Sequence, residues 1–289
     1  MMFYANLAMS GLVQGLLLAT LALSISLCFS VAKFTNAATG DFMTVGAYVV
    51  VGTQALTNGS LIAGLLGSAA AVAGLSLVAY AVLFRHLGKA SPVMALIASV
   101  GLALFVRAIL TLFVGHGQFA IDYPASRAMN FNGFRVVPID LWVAAGCVFL
   151  LGLVFAVLYL TPIGLQVRAL ADNRDLARSA GIKARRVMIL LWALIGIVTA
   201  MGGALVGIKT VVIPEMGWHL ILSGFAAAVL GGLGNPIGAV VAAVALGVLQ
   251  ELSTPWTGFV FKSIFSFGIL IAALIWKPEG LFGRPEQVR

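Results

Sequence analysis

Charged residues are scarce in this chain. Asp, Glu, Lys and Arg make up 9% of its 289 residues, against about 25% in a soluble globular domain. So little charge cannot coat a water-facing surface, and a soluble enzyme is excluded. The formal net charge of +8 then reports membrane topology rather than nucleic-acid binding. Cysteine is limited to Cys28 and Cys147, both inside apolar runs, which excludes a disulfide framework. No G-x-x-x-x-G-K-[ST] occurs: Lys89 follows Gly88, but no glycine stands at the required offset and Ala90 comes next. The chain therefore cannot cradle nucleotide phosphates by itself. His86, His116 and His219 are isolated and lack metal-ligand spacing. No catalytic residue, metal or cofactor is expected.

Hydrophobic residues fill the space: 62% of the chain, with a mean hydropathy of +1.11. The apolar runs are continuous and about 18 to 25 residues long, enough to span hydrocarbon as helices. Barrel strands would alternate instead. The expected fold is all-α, a polytopic helical membrane protein with eight or nine hydrophobic segments. They cover residues 7–31, 38–56, 60–84, 92–114, 139–160, 187–208, 218–234, 236–252 and 258–276. Segments 38–56 and 218–234 are short and glycine-bearing, and each suits a re-entrant segment as well as a span. No Pro-, Ser- or acid-rich linker divides the chain, so 1–289 reads as one transmembrane domain. The start, MMFYANLAMSG, has no basic n-region or clear cleavage site, and the first run reads as a retained span.

Placing the N-terminus outside puts Lys33, Arg85, Lys89, Arg168, Arg174, Arg178, Lys183, Arg185, Arg186, Lys277, Arg284 and Arg289 in inside loops. Arg127, Arg135, Lys209 and Lys262 then lie outside. The positive-inside rule favours that orientation. The outside loop at about 115–138 is punctuated by Gly115, Gly117, Pro124, Gly133 and Pro138, which suits a short lid or hairpin.

The densest charge lies in LQVRALADNRDLARSAGIKARR, residues 165–186, with six basic and two acidic residues. Residues 167–180 read as one short helix. Arg168 with Asp172 and Asp175 with Arg178 are spaced to pair on one face, and Gly181 suits the left-handed position that ends a helix. The apolar side (Ala169, Leu170, Leu176, Ala177, Ala180) is shallow. It makes a poor membrane anchor and suits a groove on another protein. A solvated connector is the other reading.

Four blocks resemble permease subunits of the branched-chain amino acid class of ABC importers: TPIGLQVRALADNRDLARSAGI (161–182), NAATGDFMTVGAY (36–48), FAAAVLGGLGNPIGAVVAAVALGVLQE (225–251) and WKPEGLFGRPE (276–286). The order and spacing hold over nearly the whole chain. The resemblance implies that 161–186 holds a cytoplasmic coupling helix seated on an ATPase, with Arg168, Asp172, Asp175, Arg178 and Gly181 making the linkage. It also implies a bacterial inner-membrane location. The partners would be two ABC ATPase subunits, a second related permease, an extracytoplasmic binding protein and membrane lipid. The cargo would be a small molecule: leucine, isoleucine, valine, or a related amino acid or amide. Where the family usually carries Asn-Phe-Ala-His-Gly, this chain has Asn36, Ala37, Ala38, Thr39 and Gly40, which leaves the substrate open.

For the path, Gly231, Gly232, Gly234 and Asn235 precede Pro236 where two short segments meet. That pattern suits a helix broken at membrane depth or simple close packing. Asn36, Thr39 and Gly40 join them as path residues. Arg107, inside its segment, either attracts a carboxylate or snorkels outward. Lys209, Glu215 and His219 either meet a binding protein or substrate, or solvate a loop beside an interfacial Trp218. The alternative is an ion-coupled secondary transporter of small polar solutes. Such carriers hold ionisable groups within their spans. Here Asp41 and Glu251 sit near segment ends, and no carboxylate pair is evident. A passive channel is the third class; it would need no docking helix.

Overall fold

The structure is a computed structural model. It describes residues 2–57, 59–89, 91–123, 129–131, 134–258, 262–277 and 280–283. Arg127, Arg284 and Arg289 lie outside the described residues, as do Pro124 and Gly133 of the long loop and residues 278, 279 and 284–286 of the last block. So do the side chains of Lys89, Arg135 and Lys262.

Among the described residues the chain forms eleven α-helices: α1 (Met2–Ala32), α2 (Ala38–Leu56), α3 (Leu61–Ala79), α4 (Pro92–Val114), α5 (Pro138–Leu160), α6 (Pro162–Asp172), α7 (Arg174–Ser179), α8 (Ala184–Lys209), α9 (Met216–Gly231), α10 (Pro236–Thr257) and α11 (Lys262–Trp276). A π-helical turn, Tyr80–Phe84, extends α3. A two-stranded antiparallel hairpin, β1 (Met129–Phe131) and β2 (Phe134–Val136), sits in the long loop, with Asn130 opposite Arg135. Each of the nine apolar segments appears as a helix, and the architecture is the expected all-α membrane fold. Among the described residues, six helices are long and apolar enough to cross a membrane: α1, α3 with its π turn, α4, α5, α8 and α10. The helical form is obligatory there, because hydrocarbon offers no partner to an open backbone group.

Burial sorts the helices. The apolar window of α1 is 89% buried, whereas those of α3 and α4 are 22% buried. α1 therefore forms the axis, and α3 and α4 form the rim. Phe105 and Phe113 on α4 and Phe149 on α5 stand exposed, as lipid-facing residues do. α1 and α10 pack with their backbones almost touching: a Cβ built on Gly15 would lie 2.7 Å from the Val244 Cα, and Gly247 closes on the Gly15 backbone. Between apolar helices in lipid, such close packing supplies association that the hydrophobic effect cannot. Tyr4 stacks on Trp256 at 6.2 Å where these two helices reach one end.

Contacts define the two ends. At one, Lys33 Nζ, just past α1, donates to the Ala171 carbonyl of α6 at 3.1 Å. At the other, Lys209 pairs with Asp140 at 3.0 Å and Phe119 bridges Val212. There too, Gln54 holds the Asp122 backbone through two bonds of 2.8 and 3.1 Å.

Gly15→Leu is expected to lower the thermal midpoint of the detergent-solubilised protein, because overpacking costs about 1–3 kcal/mol and backbone is what must move. Gly152→Leu, with open space around it on α5, should leave the midpoint unchanged. Fluorescence-detected size exclusion after a heat ramp reads both.

Candidate functional site

α2 does not start at the bundle's end. The Ala37 N–H donates to Ser99 Oγ at 3.0 Å, and Ser99 lies about 10 Å along α4 from its start. Residues 34–37 thus carry the chain inward before α2 begins. The free donors of its first turn are met locally: Ala38 N–H by Asn36 Oδ1 at 3.1 Å, and Thr39 N–H by the Asn36 carbonyl at 3.4 Å. α9 also starts below its end. Its Gly217 N–H donates to Thr44 Oγ1 at 2.9 Å, and Thr44 is about 15 Å along α2 from Gln54. Two helix N-termini, approached from opposite ends, therefore meet inside the bundle. Gly40 and Gly217 touch backbone to backbone there, and a Cβ on either would collide with the other's carbonyl.

At this junction sits an ion pair. Asp41, in the first turn of α2, is 1% exposed, and Arg107 of α4 is 16% exposed. Arg107 Nε and Nη2 donate to the two carboxylate oxygens, each at 3.0 Å. This bidentate geometry is the strongest a carboxylate and guanidinium can adopt. The guanidinium also lies 4.8 Å from the ring centroid of Trp218, in the first turn of α9, a cation–π distance. Asp41 complements the positive end of the α2 dipole. One turn beyond Thr44, Tyr48 meets Phe119 edge-on at 5.9 Å, and its buried hydroxyl finds no partner among the described residues. The Asn36 Nδ2 is likewise buried without one.

The structure brings Asn36, Thr39, Gly40 and Arg107 together at this junction. It places Gly231, Gly232, Gly234 and Asn235 elsewhere. They form the turn between α9 and α10, where a Cβ built on Gly234 would lie 3.5 Å from the Ser30 backbone near the end of α1. That is the Lys33 end rather than membrane depth. Asn235 Oδ1 accepts from Gly238 N–H and its Nδ2 donates to the Phe282 carbonyl; a Cβ on Gly232 would lie 2.6 Å from Gly283 N. The turn is thus tied to residues 280–283. The deep helix starts are those of α2 and α9.

The polar stretch after α5 also differs from expectation. Instead of one helix over 167–180, α6 ends at Asp172 and α7 begins at Arg174. The break is chemical: Asn173 takes an extended conformation and its Oδ1 accepts from the N–H groups of Asp175 and Leu176, both at 3.0 Å. An Asn side chain that caps a following helix competes with continuation of the preceding one. Arg168, Asp172, Asp175 and Arg178 all lie exposed on this two-helix element. The Arg168 guanidinium sits 4.9 Å from the Tyr159 ring. Gly181, at φ +84, closes α7 with Ile182 N–H bonded to the Ala177 carbonyl and Gly181 N–H to that of Arg178. Those two bonds make a Schellman motif. Val167, Leu170 and Ala177 are buried, whereas Leu176 is 69% exposed. The element is thus seated on the body and still exposes large apolar side chains, Ile163 and Leu165 on α6 and Leu176 on α7.

Three junction residues were not foreseen as site residues: Asp41, Thr44 and Trp218. A signal existed for the first. Arg107 is the one basic residue well inside an apolar segment, and a buried cation demands an anion. Asp41, Asp140 and Glu251 were equal candidates by sequence, since nothing local links positions 41 and 107.

Crossing apolar helices around the buried Asp41–Arg107 pair, and a short polar element at one end, define a multi-pass membrane protein built round a central polar junction. The comparisons make the class specific. The sequence model of the family described as "Branched-chain amino acid transport system / permease component" matches residues 7–274, and the chain belongs to that family. It is a permease subunit of an ABC importer, a transport component rather than an enzyme. It is 26% identical to the "High-affinity branched-chain amino acid transport system permease protein LivH" of Escherichia coli K12, over 99% of this chain and 97% of that protein. It is 29% identical to the "Probable branched-chain amino acid transport permease protein LivH" of Methanocaldococcus jannaschii, over 92% and 89%. A third relative is the "High-affinity branched-chain amino acid transport system permease protein LivM" of Escherichia coli K12, 25% identical over 53% of this chain and 37% of that one. This membership does not favour the ion-coupled carrier.

Removing one member of a buried pair costs about 3–5 kcal/mol, because a charge is left without its partner. Arg107→Gln strands a carboxylate that is 1% exposed and is expected to destabilise more than Asp41→Asn, which leaves Arg107 on Trp218. The double variant Asp41→Asn/Arg107→Gln should recover most of the loss. Thermal midpoints of the four proteins in detergent check the order, and equal losses in both single variants would contradict it.

Proposed function

We propose that this permease forms the translocation path for branched-chain amino acids, or closely related small amino acids or amides, in the bacterial inner membrane. It does so with two ABC ATPases, a second permease and an extracytoplasmic binding protein. The observation that carries the reading is the α6–Asn173–α7 element. Its charges face water, its small apolar residues sit on the body, and Leu176 protrudes. Leu176, 69% exposed between Asp175 and Arg178, gives a partner an apolar side chain to bury amid charges that can pair. The element suits a groove on the ATPase, with the Lys33 end cytoplasmic as the distribution of basic residues requires.

The mechanism is alternating access. ATP closes the ATPase dimer and displaces the docked element. The displacement enters the body through Lys33 and the Ala171 carbonyl, through Arg168 on Tyr159, and through the peptide continuity of α6 with α5 and of α7 with α8. Arg168, Asp172, Asp175, Arg178 and Gly181 make and shape that linkage. Movement of α1, α5 and α8 then alters the junction where α2 and α9 begin. Asn36, Thr39, Gly40 and Arg107 border the path there, and the Gly231–Asn235 turn steadies it from the Lys33 end. The similarity of half this chain to a second permease of the same kind of transport system supports a pair of related permeases. The relatives' names support the cargo class.

The test uses the full complex in proteoliposomes. Uptake of radiolabelled L-leucine through the wild-type complex is expected to require ATP. Leu176→Asp should weaken ATPase docking by about 2 kcal/mol, the scale of an interface hot spot, and cut ATP hydrolysis and uptake together. Uptake that persists without ATP would refute the importer mechanism. Normal hydrolysis and uptake by Leu176→Asp would refute docking through this face.

A further inference from the structure

At the Lys33 end, beside α6 and α7, lies an open cavity of about 350 Å³, within the size range of small-ligand sites. Its floor is aromatic. Phe34 stacks on Phe84 at 5.1 Å, Phe84 on Trp192 at 4.8 Å, and Trp192 on Tyr80 at 5.7 Å. Tyr80 and Phe84 are the two ends of the π-helical turn that finishes α3. Such turns are rare and recur at functional sites. Trp192 is fully buried, and its Nε1–H finds no acceptor among the described residues.

Its polar lining carries excess positive charge. Lys33, Arg85 and Arg174 border the cavity together with Asp172. An aromatic floor beneath cationic groups selects an amphipathic ligand with a carboxylate and an apolar body. A phosphate alone would leave the floor unused, and a hydrocarbon would leave the cations unmatched. An apolar α-amino acid satisfies both: its carboxylate meets the cations, its side chain lies against the aromatic floor, and Asp172 suits its ammonium.

The cavity walls come from two sources, the spans and the polar element. Lys33 follows α1 and Arg85 follows α3, whereas Asp172 and Arg174 belong to α6 and α7. Movement passed from the element into the spans therefore changes the cavity's shape. A ligand that fits the present shape resists that change, because it stabilises the state it binds better. We propose that this cavity binds the transported amino acid from the cytoplasmic side, and that its occupancy slows ATP hydrolysis, so that accumulated product restrains import. The proposal rests on the function proposed above.

The experiment uses the complete complex in nanodiscs, with both faces accessible. ATP hydrolysis is measured with saturating leucine-loaded binding protein while free L-leucine is raised into the millimolar range. The expected result is a second, inhibitory phase, absent with leucinol, which lacks the carboxylate. Arg85→Gln should keep the uninhibited rate and raise the half-inhibitory concentration roughly tenfold, as loss of a charge-assisted bond does; Arg85→Lys should largely retain inhibition. Radiolabelled L-leucine should bind the complex without binding protein, and bind Arg85→Gln more weakly. If stimulated hydrolysis is present without inhibition, or with inhibition unaffected by Arg85→Gln, the cavity proposal fails and the importer function stands. If leucine-loaded binding protein stimulates no hydrolysis, both fall.

Discussion

Hydrocarbon satisfies no backbone hydrogen bond, and this structure begins two helices part-way along a bundle of apolar helices. α2 and α9 each present free N–H groups at depth, and the rest of the bundle is arranged around meeting them. Asn36 folds back onto Ala38 N–H, Ser99 takes Ala37 N–H, and Thr44 takes Gly217 N–H. Asp41 lies at the positive end of α2 and draws in Arg107, which lies over Trp218 of α9. Ser99 and Arg107 come from α4, Asp41 and Thr44 from α2 and Trp218 from α9, so the junction also fixes how these three helices sit relative to one another. The contact of Gly40 with Gly217 brings the two helix starts close enough for those bonds to form.

The same economy holds at the Lys33 end. A chain with 9% charged residues concentrates them between α5 and α8, where water and a partner protein can use them. Asn173 divides the polar stretch into two short helices, Gly181 ends the second, and three small buried contacts hold the pair to the body. A rigid element of this kind transmits displacement. A flexible loop would absorb it. The cavity between that element and the aromatic stack follows from the same layout, since the element covers the spans without filling the space under Arg85.

Much of this was legible in the residues. Continuous apolar runs gave the helices nearly to the residue: 38–56 and 92–114 match α2 and α4 at both ends. Gly181 was recognisable because φ > 0 is costly for any other residue. The break at Asn173 was missed because ADNRDLA contains good helix formers on both sides, and capping by Asn depends on a backbone turn that composition does not reveal. The depth of the helix starts was legible only in part: 38–56 and 218–234 stand out as the short, glycine-bearing segments, but the sequence does not show where along the bundle each helix begins. The glycine-rich turn at 231–235 looked like the deep break, yet its glycines serve close packing at the Lys33 end: Gly231 against Gly238, Gly232 against Gly283 and Gly234 beside Ser30. The true deep starts follow ordinary residues, Phe34–Ala37 and Thr210–Glu215. The pairing of Asp41 with Arg107 is a tertiary fact joining positions 66 apart, and one sequence alone carries no record of it.

The central claim is that force from an ATPase enters this permease through α6 and α7, and one cross-linking measurement addresses it directly. In a complex whose permease lacks Cys28 and Cys147, Ser179, exposed at the end of α7, is replaced by Cys. A short bifunctional thiol reagent is then applied with cysteines placed along the ATPase groove. The account predicts a cross-link between the two subunits that stops ATP-driven uptake, with uptake restored when a cleavable linker is cut. A Ser179→Cys thiol labelled by a membrane-impermeant reagent only from the outside of intact cells, with no cross-link to the ATPase, would contradict it.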